Sequence, residues 1–178
     1  MPSFELMEFC RIVRQRSAEN AKAMLALSDI PSQQVSVLRQ ELDSMFRVIW
    51  MTTRNDLERQ RLAEVFTSDG RFLDPNGKRI TDFCMANVAR LHYGWVSRIY
   101  DFGCKFIHLT KAHDYVNRDP LSDITVAERN EIRTFFHVFH GAVLSENFTY
   151  MDVVPLIPSI FAKLQSNLKY ELSKLEKS

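Results

Sequence analysis

Glycine and cysteine are scarce in this chain, with five glycines and three cysteines in 178 residues. The cysteines, Cys10, Cys84 and Cys104, are odd in number and far apart. That excludes a disulfide framework and fits a reducing cytosol. Residues 68–81 hold too few glycines before a helix to cradle a phosphate, and no Gly-x-Ser-x-Gly elbow supports a serine hydrolase. Charge of one sign is also lacking, since the net charge is +1. There is thus no global electrostatic reason to bind nucleic acid or an acidic membrane. No run approaches the roughly 18 apolar residues of a membrane span. The first residues lack the basic region and apolar core of a signal peptide. A cytoplasmic protein with no membrane partner is expected. No internal repeat, low-complexity tract or linker divides the chain, and no motif calls for a cofactor.

What is present is helical periodicity. Apolar residues make up 46% of the chain, enough for a sizeable core. Over residues 4–27, Leu6, Phe9, Cys10, Val13, Ala21 and Met24 recur at steps of three and four. Arg11, Arg14, Arg16 and Lys22 lie mostly between them and read as a solvated outer face. Pro31 separates this helix from a second over residues 32–52. There Val35, Leu38, Leu42, Met45 and Ile49 form a stripe, widened by Phe46 and Trp50, as in a central core helix. A short charged helix follows over residues 55–66, capped by Asn55 and buried through Leu57, Leu62, Val65 and Phe66.

Residues 68–81 break the pattern. Asp69-Gly70 and Asp74-Pro75-Asn76-Gly77 are turn signals, and Phe72, Leu73 and Ile80 flank the second. A short hairpin with a basic tip at Lys78 and Arg79 is expected. A long helix then runs from Thr81 or Asp82 to about His108, with bends at Gly94 or Gly103, and its aromatics imply cover on both faces. Thr125 and Glu128 have capping-box spacing ahead of a helix that buries Ile132, Phe135, Phe136 and Phe139 and stops at Gly141. In the last helix Ile157, Phe161, Leu164, Leu168, Leu172 and Leu175 form a seam of almost coiled-coil period. That seam is long for one bundle face to cover and suggests a homodimer. The expected fold is all-α: one domain over residues 1–178, a bundle of five or six helices with a hairpin or loop insertion around residues 70–80.

Chemistry concentrates in residues 98–115. Asp101, Cys104, Lys105 and His108 crowd one side of a helix end, and His113 and Asp114 follow. Asp101, Lys105 and His108 are candidate substrate-binding residues. Cys104, His108 and His113 offer the thiolate and imidazoles of a zinc site. A nucleophilic Cys104 is disfavoured, because a helix C-terminal end raises a thiol pKa. A polar site combining Asp101, Cys104, His108 and His113 is expected beside the helix of His137 and His140. Arg133 and His140 lie seven residues, almost two turns, apart, so they share a helical stripe. Arginine holds a phosphate and histidine moves a proton, as cleavage of an RNA phosphodiester requires.

An all-helical bundle carrying Arg133, six residues and His140 resembles the HEPN superfamily of prokaryotic RNA-cleaving and nucleotide-binding domains. The Phe106-Ile107-His108-Leu109-Thr110 helix ending also looks like the aromatic, aliphatic and histidine endings of HEPN-like helical proteins. The resemblance implies a four- or five-helix bundle, dimers with a composite site, and a place in a toxin, defence or RNA-processing system. On this reading Arg133 and His140 are catalytic and the partner is RNA or a nucleotide. The alternative is a non-catalytic helical module that dimerises or docks a partner through its aromatic and leucine seams.

Overall fold

A computed structural model describes residues 2–68, 70–74 and 76–177. The described residues form an all-helical bundle. Its elements are α1 (Phe4–Ala26), α2 (Pro31–Thr52), α3 (Asp56–Thr67), α4 (Asp82–His92), α5 (Val96–Ile107), α6 (Val126–His140), α7 (Tyr150–Val153) and α8 (Ile157–Leu175). Short 3-10 turns at Lys111–Asp114 and Val154–Leu156 complete the order. No helix among the described residues is long and apolar enough to cross a membrane.

Helix α2 is the axis. It packs against α1, α4, α5 and α8, with α8 as its most extensive neighbour. Leu42, Met45, Phe46, Val48 and Ile49 are fully enclosed. A helix surrounded on all sides must bury polar positions as well. Glu41 is fully buried and accepts hydrogen bonds from Ser17 Oγ and from Asn20 Nδ2 on α1. Gln165 on α8 donates to the same Ser17 hydroxyl, which ties three helices together. Buried Arg39 pairs with Asp43 and lies over the Tyr100 ring, 4.2 Å from its centroid. Arg16 is half-buried rather than solvated, and burial followed by the nearby Arg47 lowers its pKa.

Capping sets most of the helix starts. Ser3, Asn55, Thr81 and Thr125 each accept a backbone N–H with their side chains, satisfying donors that the first turn leaves free. Gly141 ends α6 in the left-handed region at φ 64°, where a side chain would be strained.

Three expectations change. The long helix expected from Asp82 to His108 is two helices, α4 and α5, broken at Tyr93-Gly94-Trp95. Tyr93 leaves the helical region, and its hydroxyl donates to Glu171 on α8 at 2.7 Å. The break therefore lets an anchor reach the core. Its aromatics are not covered on both faces either, because Phe83 and Leu91 are exposed. Second, the hairpin reduces to one antiparallel bridge, Leu73 with Arg79, and no strand forms among the described residues. Asp74 Oδ1 takes the N–H groups of Asn76 and Lys78 and curls the segment into a tight turn. Asp69 and Pro75, which mark turns in the sequence, lie outside the described residues. Third, Leu57 is exposed and α3 buries Leu62 and Ala63 instead.

Candidate functional site

A groove of about 900 Å³ runs between α5 and α6. The helix break at Gly94 starts one wall, and the Thr125–Glu128 capping box starts the other. Trp95 at the N-cap of α5, with Ile99 and Phe102 of α5, faces Ile132, Phe135 and Phe139 of α6, over a floor of Val35, Leu38, Ile157 and Ile160. The aromatic wall is continuous: Trp95 and Phe135 rings lie 5.7 Å apart, and Phe135 and Phe139 rings 5.4 Å apart. The expected burial of the α6 face is only partly met. Phe136 is buried, whereas Phe139 remains 48% exposed and Ile132 and Phe135 are half-buried. Helix α6 is held mainly by its loops. Arg129 donates to the carbonyls of Phe148 and Leu121, and Arg133 Nε donates to the Leu144 carbonyl at 3.1 Å.

The charged residues of the lining gather near the start of α6. Near the start of α6, Arg98 forms ion pairs with Glu128 at 3.1 Å and Glu131 at 2.7 Å, joining the two walls. The Thr125 backbone N–H and hydroxyl hold the Glu128 carboxyl below the usual range. Asp101 and Lys105 also line this part. Outside the lining, Lys163 of α8 sits with Nζ 4.0 Å from the Phe139 ring centroid and 5.4 Å from that of Trp95. Burial pushes the Lys163 pKa down, and no carboxylate among the described residues offsets it. His140 packs its ring 5.1 Å from that of Phe135. Its Nε2 is enclosed without a hydrogen-bond partner, and burial, then Lys163, lowers its pKa.

The residues singled out in the sequence are dispersed. Asp101 and Lys105 do line the groove, but His108 is exposed at the C-cap of α5. Cys104 is half-buried beside Tyr100. The His113 ring lies 5.6 Å from that of Phe106, tilted by 53°, with Nδ1 3.3 Å from the Thr110 carbonyl oxygen. Cys104, His108 and His113 therefore do not converge, and among the described residues no three of His, Cys, Asp and Glu are grouped to hold a metal ion. The expected joint site of Asp101, Cys104, His108 and His113 beside His137 and His140 is not assembled. The helix direction explains this. Antiparallel α6 brings Glu128 and Glu131, not its histidines, to Arg98 in the first turn of α5. Arg133 and His140 share α6 but lie outside the groove lining.

Trp95 and Lys163 escaped the sequence reading. Trp95 was one aromatic among many in an apparently continuous helix. Lys163 follows Ile160 by three residues and adjoins Leu164 on the buried side of α8. A lysine on an apolar stripe was the available signal. No family model matches the sequence, and no curated protein or solved structure matches the chain.

Proposed function

We propose that the protein is a non-catalytic binding module whose site is the groove between α5 and α6. One observation carries this reading: the chain leaves a continuous aromatic channel of about 900 Å³ unfilled between two walls that it holds in place with ion pairs and backbone hydrogen bonds. Small-molecule sites have this build, mostly apolar with a few placed polar groups, in a range of about 300–1,000 Å³. The test is binding of Nile red, an uncharged dye that brightens in apolar surroundings. Fluorescence should rise with the unaltered protein. It should fall by about tenfold for Ala127→Trp, which fills the groove from an exposed wall position at little cost in folding. Equal fluorescence from both proteins counts against the groove.

A second reading keeps an RNA or nucleotide partner. It is favoured by a smaller cleft of about 260 Å³ lined by Arg47, Arg71 and Arg79, guanidinium groups of the kind that hold phosphate, with Asp82 of the same lining already paired to Arg47 at 3.2 Å. On this reading the HEPN-like pair Arg133 and His140, on α6 outside that cleft, would cleave. Incubation with total RNA separates the readings: cleavage lost in both Arg133→Ala and His140→Ala supports this one, and intact RNA leaves the groove. The homodimer belongs to the same proposal, as a surface other than α8 would have to form it.

A further inference from the structure

We infer that the cleft where residues 70–72 and 79–80 meet α2 and α4 binds a dianionic phosphate, free or at the end of a small phosphomonoester, through Arg47, Arg71 and Arg79. This rests on the cleft of the second reading and narrows its ligand to a terminal phosphate. It requires neither cleavage by Arg133 and His140 nor the groove between α5 and α6.

The segment that brings these arginines together is pinned on several sides. The Gly70 N–H donates to the Val65 carbonyl at 2.7 Å, and a Cβ at Gly70 would stand 2.9 Å from that oxygen. Arg61 of α3 donates to the Leu73 carbonyl at 2.8 Å, and the Ile80 N–H donates to the Phe72 carbonyl at 2.8 Å. Phe72 and Ile80 are buried. Arg71 adjoins the first and Arg79 the second, so the buried pair fixes the backbone at both arginines. The Arg47 guanidinium is placed by Asp82 at 3.2 Å and lies 5.7 Å from the Phe72 ring centroid.

Charge and size set the ligand. The lining holds three guanidiniums against one carboxylate, Asp82. Arg71 and Arg79 are exposed, and no carboxylate among the described residues engages either. Arg16 of α1, outside the lining, adds to the positive field. Burial, then repulsion from Arg47, lowers its pKa against smaller opposing pulls from Glu41 and Asp82. A phosphomonoester carries close to two negative charges at neutral pH and three acceptor oxygens, which guanidiniums grip with paired, charge-assisted hydrogen bonds. A diester carries one charge and a substituent on each side. The cleft of about 260 Å³ is smaller than the roughly 300–1,000 Å³ of sites that enclose an organic ligand. It therefore takes the phosphate group and leaves the rest of the molecule outside.

The test is isothermal titration calorimetry at constant ionic strength with inorganic phosphate, glycerol 1-phosphate and dimethyl phosphate. The first two should bind about tenfold more tightly than the diester, the effect of one charge-assisted contact. Whichever of the two binds more tightly identifies the source, free ion or organic monoester. Arg71→Gln and Arg79→Gln, both at exposed positions, should each weaken phosphate binding by about tenfold. Arg90→Gln, exposed on α4 outside the cleft, should leave it unchanged. Equal binding of all three compounds overturns the inference and favours a diester strand such as RNA. A loss in Arg90→Gln equal to that in Arg71→Gln also overturns it, because binding then reports the general charge of the surface. Absence of phosphate binding overturns the inference, and the second reading then survives only if total RNA is cleaved. Phosphate binding with intact RNA keeps the inference and removes the cleavage.

Discussion

The His140 ring is packed by aromatic neighbours and closed off at one nitrogen. One side packs against Phe135 and Phe136, and Nε2 is shut away from water with no partner. Burial disfavours the imidazolium, and Lys163 adds like-charge repulsion, so its pKa lies below the ordinary histidine value of about 6.5. The sign of the pH dependence follows. As pH falls below about 6.5, the unfolded chain takes up this proton before the folded chain does. The stability contributed by neutral His140 is therefore present above that pH and is lost as pH falls toward the folded value. Urea unfolding at pH 7.5 and pH 5.5 should show a smaller decline for His140→Phe than for the unaltered protein. An equal decline would mean that the ring is not buried as described. Among individual residues, the cap at Asn55, the capping box at Thr125 and the stop at Gly141 were legible from local rules. The enclosure of His140 Nε2 and its repulsion by Lys163 from another helix were not, because both arise only in the assembled bundle.

At the scale of helices, the seating of α5 on α2 turns on Gly103. A Cβ built there would stand 3.0 Å from Cδ and 3.1 Å from Cβ of Arg39. These atoms are near the root of a buried side chain that lies over Tyr100, so they have little room to retreat. Gly103→Val should push α5 away from α2 and lower stability by about 1–3 kcal/mol, as overpacking does. The same substitution should also lower Nile red fluorescence, since α5 is one wall of the groove. Thermal unfolding together with dye binding checks both. Stability within about 0.5 kcal/mol of the parent would refute the close approach. In the sequence Gly94 and Gly103 looked alike, as weak points of one long helix. Tertiary contacts separated them. Gly94 sits in the break that frees Tyr93 to reach Glu171, whereas Gly103 stays within α5 and its missing side chain lets Arg39 pack against it.

For the whole molecule, the α8 seam decides what surface remains for a second copy. Ile157, Phe161, Leu164, Leu168, Leu172 and Leu175 are each no more than 4% exposed within one chain. They pack against α2, with α1 alongside. The seam is therefore internal core and not a free dimer face, contrary to what its length suggested. Leu168→Ala should cost about 2–5 kcal/mol in chemical denaturation, the range for a large-to-small change in a close-packed core. It should leave the mass measured by light scattering the same as that of the parent protein. A change in mass would return the seam to an interface.

The sequence by itself determined the helices, the central place of α2 and the caps, because each depends on spacing within one segment or on neighbours three and four residues away. It also placed Asp101 and Lys105 on a common helix face. Only the tertiary structure decided where α4 gives way to α5, which lysine stands without an acid, and which apolar face stays open. Those outcomes depend on how helices cross. The pattern in α8 that looked unpartnered is covered by α2, and the pattern in α6 that looked buried is left half-open because ion pairs and loop carbonyls, rather than a packed helix face, hold it against the bundle.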